Sequence, residues 1–133
     1  MGYFNTDASG SGELRVARDG ELPRVTAADG VHLHPLLGER LNINVVVLEP
    51  GAIAEVHTHD EEQMGYIALG SCTFTDGRLS YELRAGDTYH APPGTPHGAT
   101  GGQPDGCTII DAFSPPRAGL RELLEASGSD LPS

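Results

Sequence analysis

The sequence predicts an all-β protein, a closed barrel or jelly roll of short antiparallel strands followed by one short C-terminal helix. Three observations carry this. Eighteen glycines and ten prolines in 133 residues punctuate the chain too often for long helices. Apolar residues recur with a period of two in several runs, which is the period of a half-buried strand. These runs follow one another at intervals of roughly ten residues, the spacing of sandwiches and barrels.

Taken in order, residues 1–12 end in Ser9-Gly10-Ser11-Gly12, a composition that cannot offset its own ordering entropy, and 127–133 reads the same way. Both are expected to be mobile, leaving one domain over 13–126. Within 43–48, Ile43, Val45 and Val47 share one face of a strand and Asn44, Val46 and Leu48 the other, and Pro50-Gly51 closes it. Runs 66–74 and 79–83 flank Thr75-Asp76-Gly77-Arg78, where Asp-Gly suits a tight hairpin. The turn Pro92-Pro93-Gly94-Thr95-Pro96 interrupts the next run, and 107–113 (CTIIDAF) is a further strand ending at Pro115-Pro116. Ser114 is expected to cap, and Pro115 to open, a helix in which Leu120, Leu123 and Leu124 recur at i, i+3 and i+4.

Charge and composition exclude several functions. The net charge is −11, a balance that repels phosphate backbones and anionic membranes, so neither nucleic acid nor membrane is an expected partner. All eight basic residues are Arg, which removes lysine Schiff-base chemistry. The apolar run at 43–48 is far too short to span a bilayer, and the first residues lack a basic n-region and an apolar h-region. A cytoplasmic location is expected. Two cysteines, Cys72 and Cys107, cannot build a disulfide scaffold or a Cys-rich zinc module and read as small core residues.

The chemistry lies with the histidines. On a strand, the two-residue spacing of His57 and His59 points both imidazoles to one face, as a metal site requires. Gln63 follows the turn Asp60-Glu61-Glu62, and His97 follows the Pro-Gly-Thr-Pro turn, so three imidazoles and one side-chain oxygen converge. His32 and His34 repeat the spacing without a following acid or amide and next to Pro35, which suits an edge-strand or turn pair better than a second site.

At these residues the chain resembles the cupin superfamily. The first cupin motif, Gly-x5-His-x-His-x3–4-Glu-x6-Gly, reads here as Gly51, His57, His59, Gln63 and Gly70, with Gln in place of Glu. The second, Gly-x5-Pro-x-Gly-x2-His-x3-Asn, reads as Gly86, Pro92, Gly94 and His97, with Gly101 at the Asn position. The two motifs cover 51–70 and 86–101. The resemblance implies a small β-barrel holding one divalent metal ion, Zn, Ni, Mn or Fe, on His57, His59, Gln63 and His97. Glu62, one residue earlier, is the alternative fourth ligand, although a one-residue shift would turn its side chain to the other face. Gln for Glu leaves the 2+ charge of the ion uncompensated by any ligand, which makes a stronger Lewis acid. Met64-Gly65 stands where the family has bulkier residues and is expected to widen the pocket.

The tail carries a narrower resemblance. Residues 109–117 (IIDAFSPPR) are similar to the end of compact cupins of the uronate-linearising type, which also use Gln in the first motif. Carried over, the acid/base carboxylate falls on Asp111, the wall aromatic on Phe113 and the substrate-carboxylate arginine on Arg117. Asp111 and Phe113 share a strand face, and Arg117 beyond the turn suits a bidentate carboxylate pair. The competing roles are an Asp that caps backbone amides and an Arg solvated on a tail helix.

Asn44, Tyr66, Tyr81, Tyr89 and His90 also lie on strands, but alternation alone leaves open which face is inside. Asn44 and Tyr66 are candidates for substrate contact, while core packing with a satisfied hydroxyl competes for Tyr66 and Tyr89. Together these features describe a metal-dependent cupin enzyme, isomerase- or cyclase-like. It would perform isomerisation, ring-opening or cyclisation through an enolate-like intermediate on a small oxygenated, anionic molecule. An unsaturated uronate follows from the tail, and a polyketide from similar Gln-containing sites in polyketide-cyclase-like cupins. Iron-dependent dioxygenation and non-catalytic ligand binding are the alternatives. The resemblance also implies a homodimer.

Overall fold

A computed structural model describes residues 3–4 and 12–126. The expected tail at 127–133, and most of the expected mobile segment at 1–12, lie outside the described residues. Among the described residues nine strands and one helix follow in order. They are β1 (Val25–Ala28), β2 (Val31–Leu37), β3 (Asn42–Leu48), β4 (Ile53–His57), β5 (Glu62–Thr75), β6 (Ser80–Arg84), β7 (Thr88–Ala91), β8 (His97–Gly101), β9 (Cys107–Ser114) and α1 (Leu120–Ala126). All pairings are antiparallel, and the architecture is a nearly closed barrel of the jelly-roll kind, as the periodicity predicted.

Strand β5 joins the two halves of the barrel. Its first half pairs with β9 and β7 and its second with β6 and β8, so one face is β1-β2-β3-β9-β5-β7 and the other β6-β5-β8-β4. The strand turns between these partners at an irregularity between Ile67 and Leu69 and at Gly70, whose φ is +73°. A Cβ at Gly70 would stand 2.0 Å from the carbonyl oxygen of Gly106, so no other residue fits the corner without moving the backbone. The hairpin expected at 75–78 is present, with Thr75 opposite Ser80 and the Asp76 carboxylate accepting from the Arg78 and Leu79 N–H groups.

Register stacks the interior into rows. The row nearest the open end holds Leu37, Asn42, Phe113 and Gln63, and the next Pro35, Asn44, Asp111, Gly65 and Tyr89. Below them come Leu33, Val46, Ile109 and Ile67, then Val31, Leu48, Cys107 and Gly70. Polar side chains therefore occupy the two outer rows and apolar ones the floor. The apolar core is the floor itself, Val31, Val46, Leu48, Ile67, Cys72, Ala99, Cys107 and Ile109. Cys72 and Cys107 are free and buried there, as expected of small core residues.

The helix starts later than the sequence suggested. Ser114 ends β9 and its hydroxyl donates to the Arg40 carbonyl instead of capping, and the chain turns through 115–119 before Leu120. Leu120 and Leu124 pack with Val25 and Leu37 across the end of the barrel, the same i, i+4 face that the leucine spacing indicated. His32 and His34 are on β2, a strand paired on both sides and so not an edge, and His32 is held by Arg24, Thr26 and Glu49 away from the other histidines. Among the described residues no helix is long and apolar enough to cross a membrane.

The corner of β5 yields one prediction. Gly70→Ala adds a left-handed backbone penalty to a steric clash and is expected to lower stability by about 3 kcal/mol or more, read from urea unfolding.

Candidate metal centre and active-site cavity

Three histidines meet at the open end of the barrel. His57 ends β4, His97 begins β8, and His59 stands beyond β4 in the connection to β5. The same-face argument from strand geometry thus fails for His59, which has left the strand. Convergence comes instead from the turn, and one ligand atom from each of the three lies within 4.8 Å of the others. Gln63, on β5, completes the group. Its Oε1 is 2.9 Å from His59 Nε2 and 3.0 Å from His97 Nε2, and those two nitrogens are 3.2 Å apart.

The tautomers follow from the backbone. Each Nδ1 faces a carbonyl that can only accept: Glu55 for His57 at 2.7 Å, Glu61 for His59 at 3.0 Å and Thr95 for His97 at 2.8 Å. Nδ1 therefore carries the proton and Nε2 keeps its lone pair. Burial, and then His57, His59 and Arg117, hold His97 below the ordinary imidazole value despite the Nδ1–H bond to Thr95. The outcome is a cluster of lone pairs with no donor among them, an arrangement that a cation satisfies and a water cannot fully satisfy. The residues present fit a divalent ion with three imidazoles and one amide oxygen, the borderline donors that zinc, nickel and iron accept.

Gln63 presents its oxygen because its nitrogen is occupied. Nε2 donates to the Tyr89 hydroxyl at 2.5 Å, and the Tyr89 hydroxyl in turn donates to Asp111 Oδ1. Tyr89 packs on Phe74, ring centroids 4.1 Å apart, so core packing and a polar task coexist in one side chain. Burial first, and then the Asp111 charge, push the Tyr89 hydroxyl up, which keeps it a donor. Gly65 makes room for this ring. A Cβ there would lie 2.0 Å from Tyr89 Cε1 and 2.6 Å from Asp111 Oδ1, so the missing side chain is replaced by Tyr89 and the pocket is not widened as expected.

Asp111 is buried at 6% exposure on β9, with Phe113 two residues on along the same face. It caps no helix. Burial pushes its carboxyl up to about 7, against the bonds from Tyr89 and Gln63, and among the described residues no arginine pairs with it. Arg117 lies in the turn before α1, at the cavity mouth, and its backbone N–H donates to Asn42 Oδ1 at 2.7 Å. Its guanidinium is about one-third exposed and faces Glu61 at 3.9 Å.

Two residues escaped sequence reasoning. Glu61, 5% exposed, accepts from the Ala118 N–H at 2.6 Å and stands 3.3 Å from His59 Nδ1, so one carboxylate ties the tail to a putting-in-place of the histidine loop. Burial alone would raise it, but Ala118, its own backbone N–H, Arg117 and His59 together hold it below the usual carboxylate value. Asn42, 1% exposed, is the second anchor of the tail. Nothing in the run Asp60-Glu61-Glu62 distinguishes Glu61, because its role depends on a partner 57 residues away.

The remaining candidates separate cleanly. Glu62 points outward and pairs with His90 at 2.7 Å, which removes it as a ligand: on β5 it alternates with the inward Gln63. Tyr66, 49% exposed, is on the outer face for the same reason and reaches neither cavity nor core; Tyr81 is likewise exposed. Asn44, Gln63, Asp111, Phe113 and Arg117 all line one cavity of about 250 Å³ together with His57 and His97.

A β-barrel with three histidines converging at its open end is the architecture of a metal-binding barrel protein. Residues 44–113 match the cupin domain, and the chain belongs to the cupin family. Solved structures agree. A cupin of the RmlC-like type from Shewanella frigidimarina is 28% identical with a TM-score of 0.71, over 80% of this chain and 95% of that one. KdgF from Halomonas sp. is 28% identical with a TM-score of 0.70, over 81% and 97%. The polyketide cyclase RemF from Streptomyces resistomycificus shares the fold, at 18% identity and a TM-score of 0.69, over 77% and 80%. No curated protein matches the chain significantly.

Two predictions follow from the hydrogen-bond order. Tyr89→Phe frees the Gln63 amide to flip and is expected to weaken zinc binding about tenfold in chelator competition. In a Gln63→Glu background the same change should matter less than about twofold, because a carboxylate presents oxygen in either orientation. The second concerns pH. A buried carboxyl raised to about 7 stays protonated while its unfolded counterpart ionises, so metal-free protein should lose stability as pH rises from about 4 to about 7. Asp111→Asn should flatten this decline and leave the variant more stable at pH 8 by about 2 kcal/mol in urea unfolding.

Proposed function

We propose that this cupin is a metal-dependent enzyme that moves protons on a small, oxygenated, anionic molecule without redox change. The observation that carries this is Asp111: a buried carboxyl, with no arginine pairing it among the described residues, raised to about 7 and lining the same cavity as His57, Gln63 and His97. Near-neutral carboxyls can take and return a proton at physiological pH. A divalent Zn, Ni, Mn or Fe ion on His57, His59, Gln63 and His97 would supply a Lewis acid whose charge no ligand carboxylate offsets.

The chain's own groups divide the work. Asp111 accepts a proton from a carbon next to a substrate carbonyl and returns it at another atom, which covers isomerisation, ring-opening and cyclisation alike. Arg117 at the mouth binds the substrate carboxylate, Asn44 hydrogen-bonds an oxygen of the bound molecule, and Phe113 forms the wall beside His59, ring centroids 5.8 Å apart. Tyr89 keeps Asp111 oriented. The likeness to KdgF at 28% identity supports an enzymatic cupin, and the IIDAFSPPR tail supports an unsaturated uronate, with a short polyketide as the second substrate type.

The test is hydrogen–deuterium exchange followed by NMR, using metal-loaded protein in D₂O with unsaturated uronates and β-keto acids. Exchange next to the carbonyl should proceed equally with and without oxygen, and Asp111→Asn should slow it at least a hundredfold. Stoichiometric oxygen consumption with ferrous protein would establish a dioxygenase instead, and absence of exchange across the panel would favour a binding protein.

A further inference from the structure

The cavity has a composition that the proposed chemistry does not require. Its polar side chains lie toward the open end, Gln63 in the outermost row and Asn44 and Asp111 in the next, with His57, His97 and Arg117 around them. Beneath them the same cavity runs on between Val31, Leu33, Val46, Leu48, Ala54 and Ile109. The main-chain groups of these rows are engaged in the antiparallel ladders, so the floor offers a ligand neither donor nor acceptor.

Most polar groups above the floor are also committed. Gln63 gives its nitrogen to Tyr89 and its oxygen to the histidine centre, Tyr89 gives its hydroxyl to Asp111, and each Nδ1 is held by a carbonyl. The Asn44 amide nitrogen, the second Asp111 oxygen and the Arg117 guanidinium, which also faces Glu61, remain to serve a bound molecule beside the centre itself. A sugar acid carries a hydroxyl on almost every ring carbon and would bury several of them unpaired. Each such hydroxyl costs roughly tenfold or more in affinity. Size narrows the choice further. The cavity of about 250 Å³ is near the lower end of the ~300–1,000 Å³ of drug-sized sites, which suits a body of about one ring on the floor.

We infer that the substrate is a compact molecule of about one ring whose body is apolar and whose acidic or enolisable oxygens are gathered at one end. The apolar body lies on the Val46–Ile109 floor and the oxygens face Asp111, the histidines and Arg117. This rests on the reading of the cavity as an active site, and within the substrate types proposed above it favours those with the fewest ring hydroxyls.

A matched pair of ring carboxylates tests it. Isothermal titration of zinc-loaded protein should show cyclohexanecarboxylate binding at least tenfold tighter than galacturonate. Val46→Thr, which exchanges one methyl on the floor for a hydroxyl of the same shape, should weaken cyclohexanecarboxylate about threefold or more and leave galacturonate unchanged. The wild-type comparison stands even if that variant folds poorly. Equal or tighter binding of galacturonate, or no measurable binding of cyclohexanecarboxylate at millimolar concentration, would overturn the inference. Binding is read without turnover, so an apolar preference with no Asp111-dependent exchange counts against the proposed reaction alone.

Discussion

Four lone pairs aimed at one point repel one another, and the open end of this barrel is organised around holding them there. Each imidazole is braced by a backbone carbonyl on its far nitrogen, and the Gln63 amide by Tyr89 on its nitrogen. Three of these supports are main-chain carbonyls, which cannot turn away as a side chain can, and the fourth is a ring packed on Phe74. A cation relieves the repulsion that the fold imposes, which is how a chain with only neutral donors can still present a cation site.

The carboxyl group missing from the donors is found one position further out. A cupin with Glu in the first motif puts a carboxylate on the ion. Here the carboxylate is Asp111, separated from Gln63 by the Tyr89 hydroxyl. Keeping that carboxyl off the centre leaves it available for proton transfer, and burying it sets its affinity for a proton near neutrality. The second buried acid, Glu61, has the opposite environment. Its donors hold it ionised, and it fastens the tail bearing Arg117 over the cavity mouth. Two buried carboxyls within one site are thus driven in opposite directions, Asp111 upward by burial that its donors do not offset and Glu61 downward by donors and neighbouring charge that outweigh burial.

Much of this was legible in the residues themselves. The Asp76-Gly77 hairpin, the strand ending in Asp111-Ala112-Phe113 and the stacking face of Leu120 and Leu124 all follow from local periodicity and turn chemistry, and the structure contains each. The histidines and Gln63 were readable from spacing, although His59 reaches the centre from a loop and not from a strand. Tyr66 and Tyr89 were indistinguishable as sequence, two tyrosines each on a strand. One is on the outer face and the other orients a metal-type ligand, because alternation specifies two faces without saying which one the barrel encloses.

The sequence by itself determined the strand class and the hairpin, which depend on residues only a few positions apart, and it marked the converging donors through two short motifs, although His97 lies 38 residues beyond His59. Tertiary structure alone decided the rest. It chose Asn42, Asn44, Val46 and Leu48 as the inner face of β3 while the more apolar Ile43, Val45 and Val47 face out, because the register with β9 aligns the asparagines with Asp111 and Phe113. It also joined Glu61 to Ala118 and Gln63 to Tyr89 and Asp111. Those partners are distant in the chain, and hydrogen bonds between them exist only once the barrel has closed.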